Sequence, residues 1–165
     1  ALIVFIRPPM DVTILDYGRA PVFKVNGGDS EGNGADLEIL GLLPVKTKLA
    51  YQADPGKYLF MSVGKNADFI AAEVLPDRTY YISILARSGV YPLKPADRQE
   101  QGSDEFRERL ASAKWTTKGP DALTYAASRM TEIRARHIAG YRIWAQKGAA
   151  ENPRLLPEHG ATQAQ

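Results

Sequence analysis

Two segments of this chain, LAYQADPGKYLFMSV at residues 49–63 and FIAAEVLPDRTYYISIL at residues 69–85, carry apolar alternation on both sides of a Pro-Gly or Pro-Asp turn. Successive side chains of a strand point to opposite faces, so a period of two marks a strand with one face on a core. Proline and glycine between two such runs supply the turn. Each segment is therefore expected to form an antiparallel hairpin, with Leu59, Met61 and Val63 on one face of the first and Tyr58 and Phe60 on the other. Leu49, Tyr51 and Ala53 fall on a common face, and so do Tyr80, Ile82, Ile84 and Ala86.

Further strands are read around these two. The chain opens on ALIVFI before Arg7, an apolar run too short to span a bilayer and without the flanks of a signal peptide, so it is a first strand. Val12 and Ile14 alternate with Thr13 and Leu15, Tyr17-Gly18-Arg19 offers a turn, and PVFKV from Pro21 returns as a strand, the proline suiting a strand start or sheet edge. NGGDSEGNGAD, residues 26–36, reads as a connecting loop, and residues 37–43 as a short strand. About seven short strands at this spacing favour an antiparallel β-sandwich over residues 1–95.

Beyond residue 96 the period becomes helical. Ser103 is placed to cap a short helix with Asp104 and Glu105 in its first turn and Phe106, Leu110 and Ala113 on one face. Pro120 suits the first position of a longer helix, in which Leu123, Ala126, Met130, Ile133, His137, Tyr141 and Trp144 form an apolar stripe that Gly148 ends. These two C-terminal helices, residues 96–148, are expected to pack on the sandwich, burying Met130, Ile133 and Trp144 and turning Arg129, Arg136 and Arg142 outward. Residues 149–165, with two prolines and a polar end, read as a flexible tail.

Composition narrows the chemistry. The chain has no cysteine, two histidines and a net charge of +2 over 165 residues, which leaves no disulfide, thiolate metal site or cysteine nucleophile and gives no bulk signal for nucleic acid. A Gly-x-Ser-x-Gly elbow, a phosphate-binding Gly-Lys-Ser/Thr loop and a dinucleotide fingerprint are all absent from the sequence. No catalytic residue and no cofactor is assigned, and a catalytic metal is not expected, since only carboxylates remain as strong ligands.

The stretches ALIVFIRP, ILDYGRAPVFKV, ADPGKYLFMSV and VLPDRTYYISI together resemble the bacterial domain-of-unknown-function family of small envelope lipoproteins. Members of that family carry an L-x-V-Y-R-P opening strand, a P-G-K turn and a T-Y-Y strand, and they are similar to transthyretin-like and carboxypeptidase-regulatory-like sandwiches. The resemblance covers residues 1–87. It departs at Pro76-Asp77-Arg78, where the family has Pro-Gly-Lys, and in the longer loop at residues 26–36. It implies a periplasmic or outer-membrane-associated protein, with any lipidated cysteine anchor lying upstream of Ala1.

Several residues are candidates for contact. Asp29, Glu31, Asn33 and Asp36 place oxygen atoms at alternating positions near glycines, part of the pattern of a calcium loop, although Leu40 stands where a bidentate glutamate is needed; the other reading is a solvated connection between strands. Alternation sends Tyr80 and Tyr81 to opposite faces, so one ring is core and the other, taken as Tyr81, can face solvent beside Arg87 as a binding platform. Residues 118–147 hold six basic side chains against two acidic ones, and Arg129, Arg134 and Arg142 on that helix form either a solvated outer face or a docking surface for a partner or anionic lipid. His137, on the apolar stripe, is expected as a buried, hydrogen-bonded imidazole. The functional expectation is a non-enzymatic envelope module acting by protein or cell-wall contact. The competing readings are a hydrolase using carboxylates around the long loop and a carrier of a small apolar ligand between sandwich and helix.

Overall fold

A computed structural model describes residues 1–9 and 18–162. The strand expected at residues 12–15 and the first residue of the Tyr17 turn lie outside the described residues. The elements are β1 (Leu2–Arg7), β2 (Ala20–Asn26), β3 (Asp36–Leu43), β4 (Thr47–Gln52), β5 (Gly56–Val63), β6 (Ala67–Val74), β7 (Arg78–Ile84), β8 (Leu93–Pro95), α1 (Arg98–Gln101), α2 (Asp104–Ser112), β9 (Lys114–Thr116), α3 (Pro120–Gln146), β10 (Arg154–Leu155) and β11 (Ala161–Thr162), with a 3-10 turn at Pro157–His159. The fold is mainly β, as its alternation predicts. One sheet runs β11-β7-β1-β4-β9 with β8 also on β7; the other runs β10-β6-β5-β2-β3.

The two sheets face each other across a core of Ile3, Phe5, Leu49, Tyr80 and Ile82 from the first and Val22, Leu43, Phe60 and Ile70 from the second. Helix α3 covers the far face of the second sheet, against Phe23, Met61, Val63 and Phe69. Helix α2 covers the far face of the first, its Phe106 meeting Val4, Ile6 and Tyr81. The layers in space are thus α2, sheet, sheet, α3, and β1 is buried on both faces, which is why its residues form an unbroken apolar run. The faces of β5 are as expected: Leu59, Met61 and Val63 turn to α3, while Tyr58 and Phe60 turn to the other sheet.

Neither expected hairpin forms. β4 lies in the first sheet and β5 in the second, and likewise β6 and β7 lie in different sheets, so both Pro-containing turns are arches across the core. Tyr51 and Phe60 meet across the core edge to face, with ring centroids 5.8 Å apart. The hairpin lies between the two arches: β5 and β6 pair through Gly64-Lys65-Asn66 in the register Val63↔Ala67. The other is β2 with β3, whose register Asn26↔Asp36 closes the glycine-rich loop.

The sheets are mixed rather than purely antiparallel, because β7 enters its sheet from an arch and is free to run parallel to β1. β9 on β4 and β10 on β6 are parallel as well.

The expected flexible tail is instead laid along both sheets: β10 pairs β6, β11 pairs β7, and Leu155 is buried in the inter-sheet core. Ser103 caps α2 by accepting from Phe106 N–H at 3.1 Å, and Pro120 begins α3. On α3 the buried stripe is Ala122, Ala126, Ile133 and His137, while Met130, Tyr141 and Trp144 are partly buried beside it. Leu123 is 53% exposed, at the stripe's rim one 100° step past Ala122. Arg7 ends β1 fully buried between the sheets, donating from Nη1 to Leu43 O at 2.8 Å and to Gly18 O, with its guanidinium 5.4 Å from the Tyr91 ring centroid.

Candidate functional site

A cleft of about 490 Å³ lies where the C-terminal half of α3 crosses the start of β6, with the segment of residues 151–153 closing its far side. A glycine builds it. Gly140 has no side chain to hold the helix off β6, and a Cβ there would stand 2.8 Å from the Ala67 carbonyl oxygen. Asn152 Nδ2 donates to Trp144 O at 2.9 Å, satisfying a carbonyl at the helix end and turning the chain back along the cleft. Arg136 donates to Gly64 O and pairs with Glu132, so it is a fixed wall.

Asp68 is the chemically distinctive group of this cleft. It lies opposite Ser62 in the β5–β6 register and accepts from the Tyr91 N–H, while its Oδ2 is buried with no hydrogen-bond partner. Burial pushes the Asp68 carboxyl above its ordinary range, opposed by that N–H and by the charge of Lys147. Trp144, Ile143 and Phe69 supply apolar wall, and Lys65, Lys147 and Glu151 stand around the rim.

A second groove, about 370 Å³, follows the sheet edges at β3, β4 and β9. Leu40, Leu49, Ala50 and Tyr51 line it together with Thr116, Thr117, Glu38 and Lys118. Trp115 stands in it 59% exposed, with Lys48 Nζ 4.6 Å from its ring centroid. Lys48 Nζ also donates to Leu110 O at 2.6 Å near the end of α2, where the helix dipole favours a cation. Lys24 pairs with Glu38 at 3.0 Å and donates to Tyr51 Oη at 3.3 Å; these bonds hold its ammonium above the ordinary lysine range.

The residues singled out in the sequence are not brought together. Tyr81 is partly buried: α2 packs on it, with Phe106 edge to face at 5.3 Å, and it lines a pocket with Arg98, Gln101 and Leu110 rather than with Arg87. Arg87 is exposed on the turn that bridges to Val90. The α3 arginines lie on the far side of both sheets and are largely engaged with the protein itself. Arg134 donates to Ala35 O at 2.8 Å, Arg142 pairs with Glu31 at 3.6 Å, and Arg129 lies over the Tyr125 ring at 4.9 Å.

The loop of Asp29, Glu31, Asn33 and Asp36 is likewise organised inward. Asp29 accepts from the backbone N–H groups of Glu31 and Asn33, both at 2.9 Å, and from Asn33 Nδ2; these bonds, Asn33's first, hold its carboxyl below the ordinary range. Asp36 begins β3. Among the described residues no three His, Asp or Glu side chains converge as a metal-holding group. Along α1 and α2, Glu105 and Glu100 both pair with Arg109, at 2.8 and 3.6 Å.

His137 is buried as expected, but its Nε2 has no hydrogen-bond partner; the ring lies between Phe69 and Tyr141. Burial first, and Arg134 second, hold the imidazole below its ordinary value.

No protein-family model, curated protein or solved structure matches this chain.

Proposed function

We propose that the protein is a non-enzymatic module of the bacterial cell envelope, a transthyretin-like sandwich of seven principal strands that works by contact with cell-wall glycan. The observation that carries this reading is the edge groove: an indole 59% exposed, with one face under the Lys48 ammonium, beside Tyr51 and the polar groups of Thr116, Thr117, Glu38 and Lys118. A saccharide has one face of weakly polarised C–H groups and a rim of hydroxyls. Such a face stacks on an aromatic ring while the rim hydrogen-bonds to flanking polar side chains. The motif resemblance over residues 1–87 supports an envelope location, periplasmic or outer-membrane associated. No helix among the described residues is long and apolar enough to cross a membrane.

Cosedimentation of the purified chain with isolated cell-wall sacculi tests the reading. Trp115→Ala is expected to abolish cosedimentation without moving the melting temperature, because so exposed a ring adds little to the core. Equal pelleting of the variant and the wild type, or no pelleting of either, would overturn it.

A further inference from the structure

The groove at the sheet edges carries more positive charge than its carboxylate answers. Glu38 is the one acidic side chain among the described residues that line it, and its Oε2 is already taken by Lys24 Nζ at 3.0 Å. Lys118 Nζ stands 4.0 Å from Oε1, at the limit of an ion pair and too far for a hydrogen bond. Lys48 lies behind the Trp115 ring and is itself only 9% exposed. Its partners are the Leu110 carbonyl at 2.6 Å and the indole, neither of which carries a full negative charge. Three ammonium groups thus stand about a groove that contributes one carboxylate.

From this arrangement we propose that the saccharide taken by the groove is acidic, its ring stacked on Trp115 and a carboxylate that it carries accepting from Lys118 Nζ. The inference rests on the glycan reading of this groove and adds the charge of the ligand. A neutral sugar answers the indole alone and leaves both Lys118 and Lys48 uncompensated. A sugar ring on the open face of Trp115 lies roughly 8 Å from Lys48 Nζ, the 4.6 Å to the ring centroid plus a contact of about 3.5–4 Å. That separation is about one Debye length at physiological salt, and an ammonium so little exposed is screened less than one in open water. Lys118 is free to turn to a ligand at small cost, because its long contact to Glu38 joins two side chains that are each about two-fifths exposed. Trp115 and Lys118 are three residues apart, at most roughly 10 Å of extended chain, so one short oligosaccharide reaches both. Thr116 and Thr117 stand between them for its hydroxyls.

The test sets untreated cell-wall sacculi beside sacculi whose carboxylates have been converted to methylamides. The wild type is expected to bind the amidated preparation roughly tenfold more weakly, the loss of one charge-assisted hydrogen bond. Lys118→Met is expected to lose the same factor on untreated sacculi and nothing further on amidated ones, whereas Lys118→Arg keeps wild-type binding. Lys118 is exposed, so neither variant should move the melting temperature. Equal affinity of the wild type for the two preparations, or wild-type affinity in Lys118→Met, would overturn the acidic ligand and leave the Trp115 contact standing. No pelleting with either preparation would overturn the glycan reading itself, and this inference with it.

Discussion

Replacing Gly140 by alanine sets two effects of opposite sign against each other. In an exposed helix interior the change stabilises by about 1 kcal/mol, because alanine loses less backbone entropy than glycine. At Gly140 the added methyl would lie 2.8 Å from the Ala67 carbonyl oxygen, 3.0 Å from Ala67 Cβ and 3.1 Å from Phe69 Cε2. The first of these is backbone, held in the register Val63↔Ala67, and it cannot swing aside as a flexible side chain does. The helix must therefore lift from β6, loosening Ile133 and His137, both buried against that sheet. Overpacking of this kind costs about 1–3 kcal/mol, so Gly140→Ala should destabilise the protein by about 1 kcal/mol net, near 2–4 °C in melting temperature for a chain of this size. Thermal denaturation followed by circular dichroism reads it. Ala135→Gly, on the exposed side of the same helix, supplies the propensity scale and should lose about 1 kcal/mol. A Gly140→Ala variant that melts above the wild type would refute the close helix–sheet approach.

Two further outcomes are expected. Because the folded chain keeps His137 neutral while the unfolded chain takes up a proton near its ordinary value of 6.5, the stability contribution is whole above that pH and declines as pH falls toward the lower folded value; chemical denaturation between pH 5 and 7 should show a slope that His137→Leu removes. Ser103→Ala should cost about 1 kcal/mol of stability, read by denaturant midpoint, since its Oγ accepts the Phe106 N–H at 3.1 Å and starts the helix that covers Tyr81.

Alternation located the strands but not their partners, and the reason is geometric. In β4 and β5 the inward residues are Leu49, Tyr51 and Ala53, then Tyr58 and Phe60, and all of them enter one core. A hairpin would set those residues side by side on one sheet; an arch sets them face to face across two. Both arrangements produce the same polar–apolar string, so a Pro-Gly turn between two alternating runs carries no information about which occurs. The turn residues do show how the second arch closes: Asp77 adopts φ 54°, a left-handed value that a short polar side chain tolerates. Helix α3 was legible for a different reason. Its stripe is long, Pro120 marks its start, and only the rim residue Leu123 departs from the buried side.

The site was less legible because charge counts do not say whom a charge serves. Six basic side chains against two acidic ones over residues 118–147 read as an outward field, yet Arg134 and Arg142 tie α3 to the loop at residues 26–36, and Arg136 ties it to the turn before β6. Arginine is suited to this, since its forked guanidinium reaches carbonyls while its stem covers apolar surface. The informative charge was a single acid. In ADFIAAEV, residues 67–74, Asp68 has the same parity as Ile70, Ala72 and Val74, all of which face the inter-sheet core. An aspartate on the inward phase of a strand must find donors or stay uncharged, and here it finds one donor, the Tyr91 N–H, and leaves its second oxygen unmatched.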